Sequence, residues 1–501
     1  MSLTRPGLWA AGLLLLLTLG TVGAVAWRAE WSGAFGPADW AAIRFTLLQA
    51  LASAALSVLL AVPVARALSR RRFLGRSVLV TLLGAPFILP VVVAVMGLLA
   101  VFGRRGLVSD GLALIGLPPL DIYGYEGVVL AHVFFNLPLA TRMLLQGWLS
   151  IPSERFRLAA SLGAPVGRLL EWPMIRSVAP GAFLVIFLIC LSSFAVALIL
   201  GGGPRATTVE LAIYQAVRFD FDLERAALLA LVQFAICAAV AAVAFAVTVP
   251  DGLGSGLDRT VKRWDGSRWA DAFWIALAAL FLLLPLGVIV AGGIAGLPDL
   301  PGSLFAASVR SVCVALASTV IALVLSLALA LRKGPVSSLA GVLPLAASPL
   351  VVGTGLLIVI YPLASPASAA LAITALVNAL MAVPFAVRIV TPAVRQAEAS
   401  YGRLADAMGL TGWARLRIVL LPRLRRPLGF AGGIAAALSM GDLGVIALFA
   451  GPGEETLPLA MYRLMGAFRT DAAAGAGLVL FALSLTLFWA FDRGGRVDAD
   501  A

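Results

Sequence analysis

The feature that most constrains this chain is a succession of long apolar runs. Crossing the roughly 30 Å hydrocarbon core of a bilayer takes about 20 apolar residues in helical form. Twelve runs of that kind are read, at about 7–27, 43–67, 77–101, 126–149, 178–200, 224–249, 270–292, 306–331, 338–362, 368–390, 426–450 and 473–491. Backbone N–H and C=O groups in lipid must find partners within their own segment, so such runs form helices. A membrane β-barrel would show short alternating segments instead. The predicted fold class is therefore an all-α integral membrane protein. Composition agrees: 61% of residues are hydrophobic, 12% are charged and the mean hydropathy is +1.02. A soluble chain needs more polar residues than that to cover its surface.

The net charge of +12 might suggest nucleic acid, but the arginines flank the apolar runs instead of forming one patch. That is the pattern of the positive-inside rule. Counting from an inside N-terminus, the inside stretches hold Arg66, Arg70, Arg71, Arg72, Arg76, Arg155, Arg157, Arg168 and Arg176, then Lys262, Arg263, Arg395, Arg403, Arg415, Arg417, Arg423, Arg425 and Arg426. The outside stretches hold far fewer, among them Arg28, Arg104, Arg105, Arg205, Arg218, Arg463 and Arg469. Both termini are thus expected in the cytoplasm of a multi-pass protein of a bacterial inner membrane. Arg5, the following apolar run and Ala24-Val25-Ala26 have the look of a cleavable signal. The run is longer than a usual signal core, and a retained helix is expected.

The chain repeats itself. Ala50-Leu51-Ala52-Ser53 recurs as Ala315-Leu316-Ala317-Ser318. Pro138, Arg142 and Gly163 recur as Pro384, Arg388 and Gly409, each 246 positions on, and Pro204 and Tyr214 recur as Pro452 and Tyr462, each 248 on. Two halves of six spans are expected, 1–250 and 270–501, joined by a polar cytoplasmic linker at 251–269. An even number of spans gives both halves the same orientation, related by an axis along the membrane normal.

A long inside loop follows the fourth span of each half: SERFRLAASLGAPVGRLLEWP from Ser153 to Pro173, and EASYGRLADAMGLTGWARLRIVLLP from Glu398 to Pro422. Each reads as a small-residue helix, a glycine suited to a helix C-terminus, and a second amphipathic helix. Such a unit lying on the membrane fits a groove in a soluble partner, and its repetition in register argues against a plain connector.

These loops resemble the EAA motif of permease subunits of ATP-binding-cassette importers, which runs Glu-Ala-Ala, three residues, Gly, nine residues, then Ile-x-Leu-Pro. The second copy matches from Ala405 through Gly409 to Leu421-Pro422, with Arg403 at the opening glutamate; the first keeps Ala159 and Gly163, has Arg157 at the opening, and its Pro173 comes early. The stretch from Gly201 to Leu231, the Glu171-Trp172-Pro173 run and the run from Ser439 to Phe449 are similar to the thiamine/thiamine-pyrophosphate importer permease. The resemblance implies that Ala159, Ala160, Leu162 and Gly163, with Ala405, Asp406, Ala407, Met408 and Gly409, couple to two copies of a separate ATPase subunit. It also implies a periplasmic substrate-binding protein meeting Gly201, Gly202, Gly203, Pro204, Gly451 and Pro452, which serve as contact or gate; a tight turn is the plainer reading of these glycines. ATP and magnesium belong to the ATPase. No cofactor is expected in this chain, which has no G-x-x-x-x-G-K-[ST] and only two lysines, Lys262 and Lys333.

Within the spans, Asp442 follows Ser439-Met440-Gly441 in the eleventh run. A carboxylate at that depth is a functional candidate by default, and it suits a substrate with a fixed positive charge such as thiamine. Asp442 and Ser439 are the candidate pathway residues; a helix-packing role is the alternative. His132, the single histidine, stands one turn from Asn136 and reads as a polar pair between helices. Cys190, Cys237 and Cys313 lie in apolar runs as small core residues, without metal or disulfide spacing. No nucleophile–base or carboxylate pair points to an enzyme. A ferric-iron permease and, less readily, a secondary transporter remain alternatives at this point.

Overall fold

The computed structural model describes residues 4–30, 35–84, 88–201, 203, 206–247, 260, 267–332, 334–451 and 453–496. Gly202, Pro204 and Pro452, and all of the 251–269 linker except 260 and 267–269, lie outside them. Among the described residues there is no strand. The first half of the sequence forms α1 (Thr4–Arg28), α2 (Pro37–Arg70), α3 (Arg76–Leu82), α4 (Val91–Phe102), α5 (Leu107–Leu114), α6 (Tyr125–Ser150), α7 (Ser153–Ser161), α8 (Trp172–Leu191), α9 (Ala195–Leu200), α10 (Val209–Arg218) and α11 (Leu223–Ala246). The second forms α12 (Arg268–Gly296), α13 (Ser303–Ala330), α14 (Pro335–Val342), α15 (Pro349–Ile360), α16 (Ala370–Ala407), α17 (Gly412–Ala414), α18 (Leu421–Met440), α19 (Gly444–Phe449), α20 (Leu457–Gly466) and α21 (Thr470–Arg496).

Eleven described helices are long and apolar enough to cross a membrane, or twelve if α14 and α15, bent by 94°, count as one span. The chain is thus an all-α, multi-pass membrane protein. Four of the runs read as single spans are broken. The third run divides into α3 and α4, with Pro90 just ahead of α4, and the ninth into α14 and α15, with Pro344 and Pro349 at the bend. Proline removes a backbone donor and pushes the residue before it out of the helical region. Ser348 restarts the ninth run by accepting from the Val351 amide at 3.2 Å. The fifth and eleventh runs break at 192–194 and 441–443.

The first helix of each half lies across the other half. Helix α1 packs on α13, α14 and α15 as well as α11, and α12 packs on α2 and α4 as well as α21. A glycine admits each crossing helix. A methyl group on Gly355 of α15 would stand 2.5 Å from the Thr21 carbonyl oxygen of α1, and one on Gly97 of α4 would stand 2.9 Å from that of Pro285 in α12. Both glycines occupy the seventh position of a twelve-residue helix. The crossing of α12 is fixed at one end by a buried ion cluster: Asp271 receives Arg70 and Arg71, each at 2.6 Å.

Cys190 and Cys237 are buried as expected, but Cys313 is exposed. The outward face of α13 is apolar because its solvent is lipid, so position in an apolar run does not decide which side of the helix a cysteine faces.

Candidate functional site: docking loops and a central seam

The two loops end their first helices in the same way. Gly163 has φ +61° and Gly409 φ +66°. The Ala164 amide donates to the Ala159 carbonyl at 2.8 Å and the Gly163 amide to Ala160 at 3.3 Å; the Leu410 amide donates to Ala405 at 2.9 Å and the Gly409 amide to Asp406 at 3.0 Å. This paired pattern satisfies the carbonyls that a helix end orphans, and glycine enters its left-handed position without a Cβ penalty. Ala159 and Ala405 turn inward, while Leu158 and Leu162 (60% and 71% exposed) match Leu404 and Met408 (59% and 64%) on the outer face. Asp406 and Ala407 are also exposed, as is Ala160.

What precedes and supports the helices differs. In the first half Ile151 is extended ahead of Pro152, so α7 is separate from α6. The second half has Glu398 at the place of Pro152, and α16 runs unbroken from its span into the loop. A π-helical segment then follows in both, at Gly167–Glu171 and Arg415–Leu420, leading into α8 and α18. Pro173 and Pro422 both sit at the start of those helices, where proline is tolerated. Buried Glu171 ties the first loop to the bundle, accepting from Arg66 Nε at 2.9 Å and Trp148 Nε1 at 3.2 Å. The second loop is tied within itself, Arg415 bridging Glu398 and Asp406.

The other constellation lies where the broken helices meet. A methyl on Gly441 would stand 3.2 Å from Pro90 Cα, bringing the eleventh run's break against the third run's. One on Gly444 would stand 3.5 Å from Phe194 Cδ1 and 3.9 Å from both Leu350 Cγ and Asp442 Oδ1. Breaks from both halves therefore converge. Irregular backbone at membrane depth persists only when buried in protein or lining a cavity.

Each half resolves its break with different chemistry. In the first, the carbonyls freed at the end of α8 accept from buried amides: Gln49 Nε2 to Cys190 O at 3.0 Å, and Gln233 Nε2 to Leu191 O at 2.8 Å. In the second, Asn378 Nδ2 donates to Ser439 Oγ at 3.0 Å, and the Asp442 carboxylate lies against the amides of Gly444, Val445 and Ile446 while its Oδ2 is buried with no partner among the described residues. Ser439 is thus held in a contact between helices. Beyond the breaks the halves agree again: Thr46 Oγ1 accepts the Val209 amide at 2.9 Å and Ser311 Oγ the Leu457 amide at 2.7 Å, seating α10 and α20 identically.

Gly201 and Gly203 serve turn geometry. A methyl on Gly201 would stand 2.4 Å from the Ala197 carbonyl oxygen, and Gly203 has φ +119°. Near Gly451, Arg218 reaches across to the Ala450 carbonyl at 3.4 Å. Gly201 and Ala206 also line a depression of about 540 Å³ with Arg104, Asp121 and Tyr123. There the Arg104 guanidinium, 2.5 Å away, holds the Asp121 carboxyl below the usual carboxylate range. Asn136 donates to the His132 carbonyl at 2.8 Å within α6, and Ser53 Oγ lies 3.4 Å from His132 Nδ1. Asn136 Nδ2 also lies 3.4 Å from Cys190 Sγ of α8, so His132 and Asn136 each make a polar contact to a neighbouring helix.

Sequence reading passed over Phe194, Gln49, Gln233 and Glu210. Phe194 was within reach, since the 248-residue offset sets it opposite Asp442. Glu210 is fully buried beside Ser348 and Gln233, with neither carboxylate oxygen in a well-formed hydrogen bond. Its buried surroundings come from both halves and leave no local pattern.

No family model matches the chain. Known proteins do. The thiamine transport system permease protein ThiP of Salmonella typhimurium is 40% identical over 521 residues, covering 97% of this chain and 96% of that protein. Its counterpart in Brucella abortus is 39% identical over 525 residues, covering 99% and 97%. A probable sulfate transport system permease protein of Helicosporidium is 26% identical over 242 residues, 46% of this chain and 87% of that protein.

Proposed function

Since the chain belongs to the family of thiamine transport system permeases, we propose that it carries thiamine or its phosphate esters inward across a bacterial inner membrane. It does so as the membrane subunit of an importer powered by two copies of a separate ATPase, which binds ATP and magnesium, and fed by a periplasmic binding protein. Both termini face the cytoplasm, and α1 is retained in the bundle, consistent with its close packing at Gly355. The half-length match to a sulfate permease fits two like halves about a common axis.

The observation that carries the power source is the pair of loops built alike. Two identical helix ends, each with two exposed apolar side chains beside a glycine turn, suit two copies of one partner. ATP-driven closure of the ATPase pair then moves the halves as rigid bodies. The convergent breaks suit a route between the halves. Asp442, with its unpartnered oxygen, supports a role in receiving the thiazolium charge. Gly201, Gly203 and Gly451 belong to the outer face that meets the binding protein.

The test is to replace both Gly163 and Gly409 by valine in the complex reconstituted with its ATPase and binding protein. ATP hydrolysis should continue while thiamine uptake collapses. Uptake that still tracks hydrolysis would remove the loops from the coupling role. In the same preparation Asp442→Asn should slow thiamine uptake, and a normal rate would leave Asp442 a packing role.

A further inference from the structure

Three aromatic rings of the first half lead inward toward the carboxylate of the second. Phe219 is 68% exposed at the end opposite the docking loops. Its ring stands 5.8 Å from that of Tyr214 at 88°, and Tyr214 stands 5.2 Å from Phe194 at 61°. Tyr214 is half-buried and Phe194 is buried. A methyl on Gly444 would stand 3.5 Å from Phe194 Cδ1 and 3.9 Å from Asp442 Oδ1, so the ring and the carboxylate meet at the same glycine. Tyr462, the repeat counterpart of Tyr214, stands near it from the other half. The rings thus run from the exposed end to Asp442 at the convergent breaks, and with Tyr462 they bridge the two halves.

We propose that Phe219, Tyr214 and Phe194 form an aromatic track that hands a flat aromatic cation from the outer face to Asp442. The inference rests on the thiamine reading above and deepens it by naming what selects the substrate in the membrane. Ring faces attract a cation through their quadrupole, and the attraction grows when water is excluded. Going inward the rings are progressively more buried, so a cation leaving water meets its strongest ring contacts where it loses most hydration. At the inner end the Asp442 carboxylate, lying against three backbone amides with one oxygen unpartnered among the described residues, supplies the compensating charge. Arg218, next to Phe219 in the chain, is held on the Ala450 carbonyl and joins the halves beside the entrance. The track is one-sided, because the second half has Ala467 where the first has Phe219.

The test uses the complete complex in proteoliposomes with its ATPase and binding protein. Uptake of labelled thiamine is competed by a cationic thiazolium analogue and by its uncharged ring isostere. The binding protein is common to every assay, so a changed preference between competitors reports the permease. Tyr214→Leu and Phe194→Leu should each raise the apparent KM for thiamine about tenfold and weaken the preference for the cationic competitor by a similar factor. Tyr214→Phe, which keeps the ring, should stay near wild type. If the leucine variants hydrolyse ATP normally and keep wild-type KM and preference, the track is overturned. Equal loss for charged and uncharged competitors also overturns it, because that is what simple packing predicts. Wild-type complex that takes up no thiamine would instead overturn the functional reading, and the track with it.

Discussion

The two halves share a frame and divide the chemistry. Shared are the glycine-ended loop helices, the hydroxyls of Thr46 and Ser311 that seat α10 and α20, and the glycines at 97 and 355 that admit the crossing helices. Divided are the supports and the seam. The first half anchors its loop on buried Glu171, caps its broken helix with two glutamines and lines the seam with rings. The second ties its loop at the surface through Arg415 and carries Asp442. Features that set backbone geometry are kept in both copies, while the polar and aromatic groups at the breaks differ between them.

The largest effect expected from this contrast is at the loop anchors. Glu171→Ala leaves Arg66 and Trp148 without their shared acceptor and should destabilise the detergent-solubilised protein by about 3 kcal/mol, read from thermal unfolding. In the same readout Arg415→Ala should cost less, because Arg415 and Glu398 are only part-buried and Asp406 is exposed, so water can replace what is lost. Equal costs would show that the loops are anchored alike. Next come the helix ends at the seam. Gln49→Leu and Gln233→Leu should each cost about 2 kcal/mol by orphaning a buried carbonyl. Asn378→Leu removes one donor from the Ser439 hydroxyl, whose own O–H can still turn to an acceptor, and should cost less. Glu210→Gln, which keeps the shape and adds a donor toward Ser348 or Gln233, should cost less than Glu210→Leu in the same assay; the reverse order would mean that the added amide finds no partner there.

The smallest effect is a titration. Because Arg104 lowers its pKa, the Asp121 pair contributes above the ordinary value of 3.8 and is lost only as pH falls through the lower native value. Carbon-detected NMR of labelled Asp121 should therefore show titration below 3.8, returning to the ordinary value in Arg104→Gln. No change between the two would mean that the pair does not persist in solution. At neutral pH the outer depression should be indifferent to small pH changes.

Much of this was legible in the sequence for physical reasons. Length and hydropathy of the runs force helices, arginine spacing marks the loop ends, and a glycine after small residues marks a helix stop, so Gly163 and Gly409 are readable in both copies. Breaks at 192–194 and 441–443 were not, because two or three small or polar residues (Ser192, Ser193, Gly441, Asp442) inside an otherwise apolar run are compatible with a continuous membrane helix. Gln49 and Gln233 have meaning only through the carbonyls they meet across the bundle. The crossing of α1 and α12 was hidden as well, since an apolar run says how far a helix reaches and nothing about which neighbour it lies against.

The most direct measurement is uptake of labelled thiamine by cells lacking their own thiamine importer and expressing this chain with its ATPase and binding protein. The account predicts ATP-dependent uptake that unlabelled thiamine blocks and ferric iron does not. An assembled complex that hydrolyses ATP and takes up no thiamine, or whose transport follows iron, would contradict it.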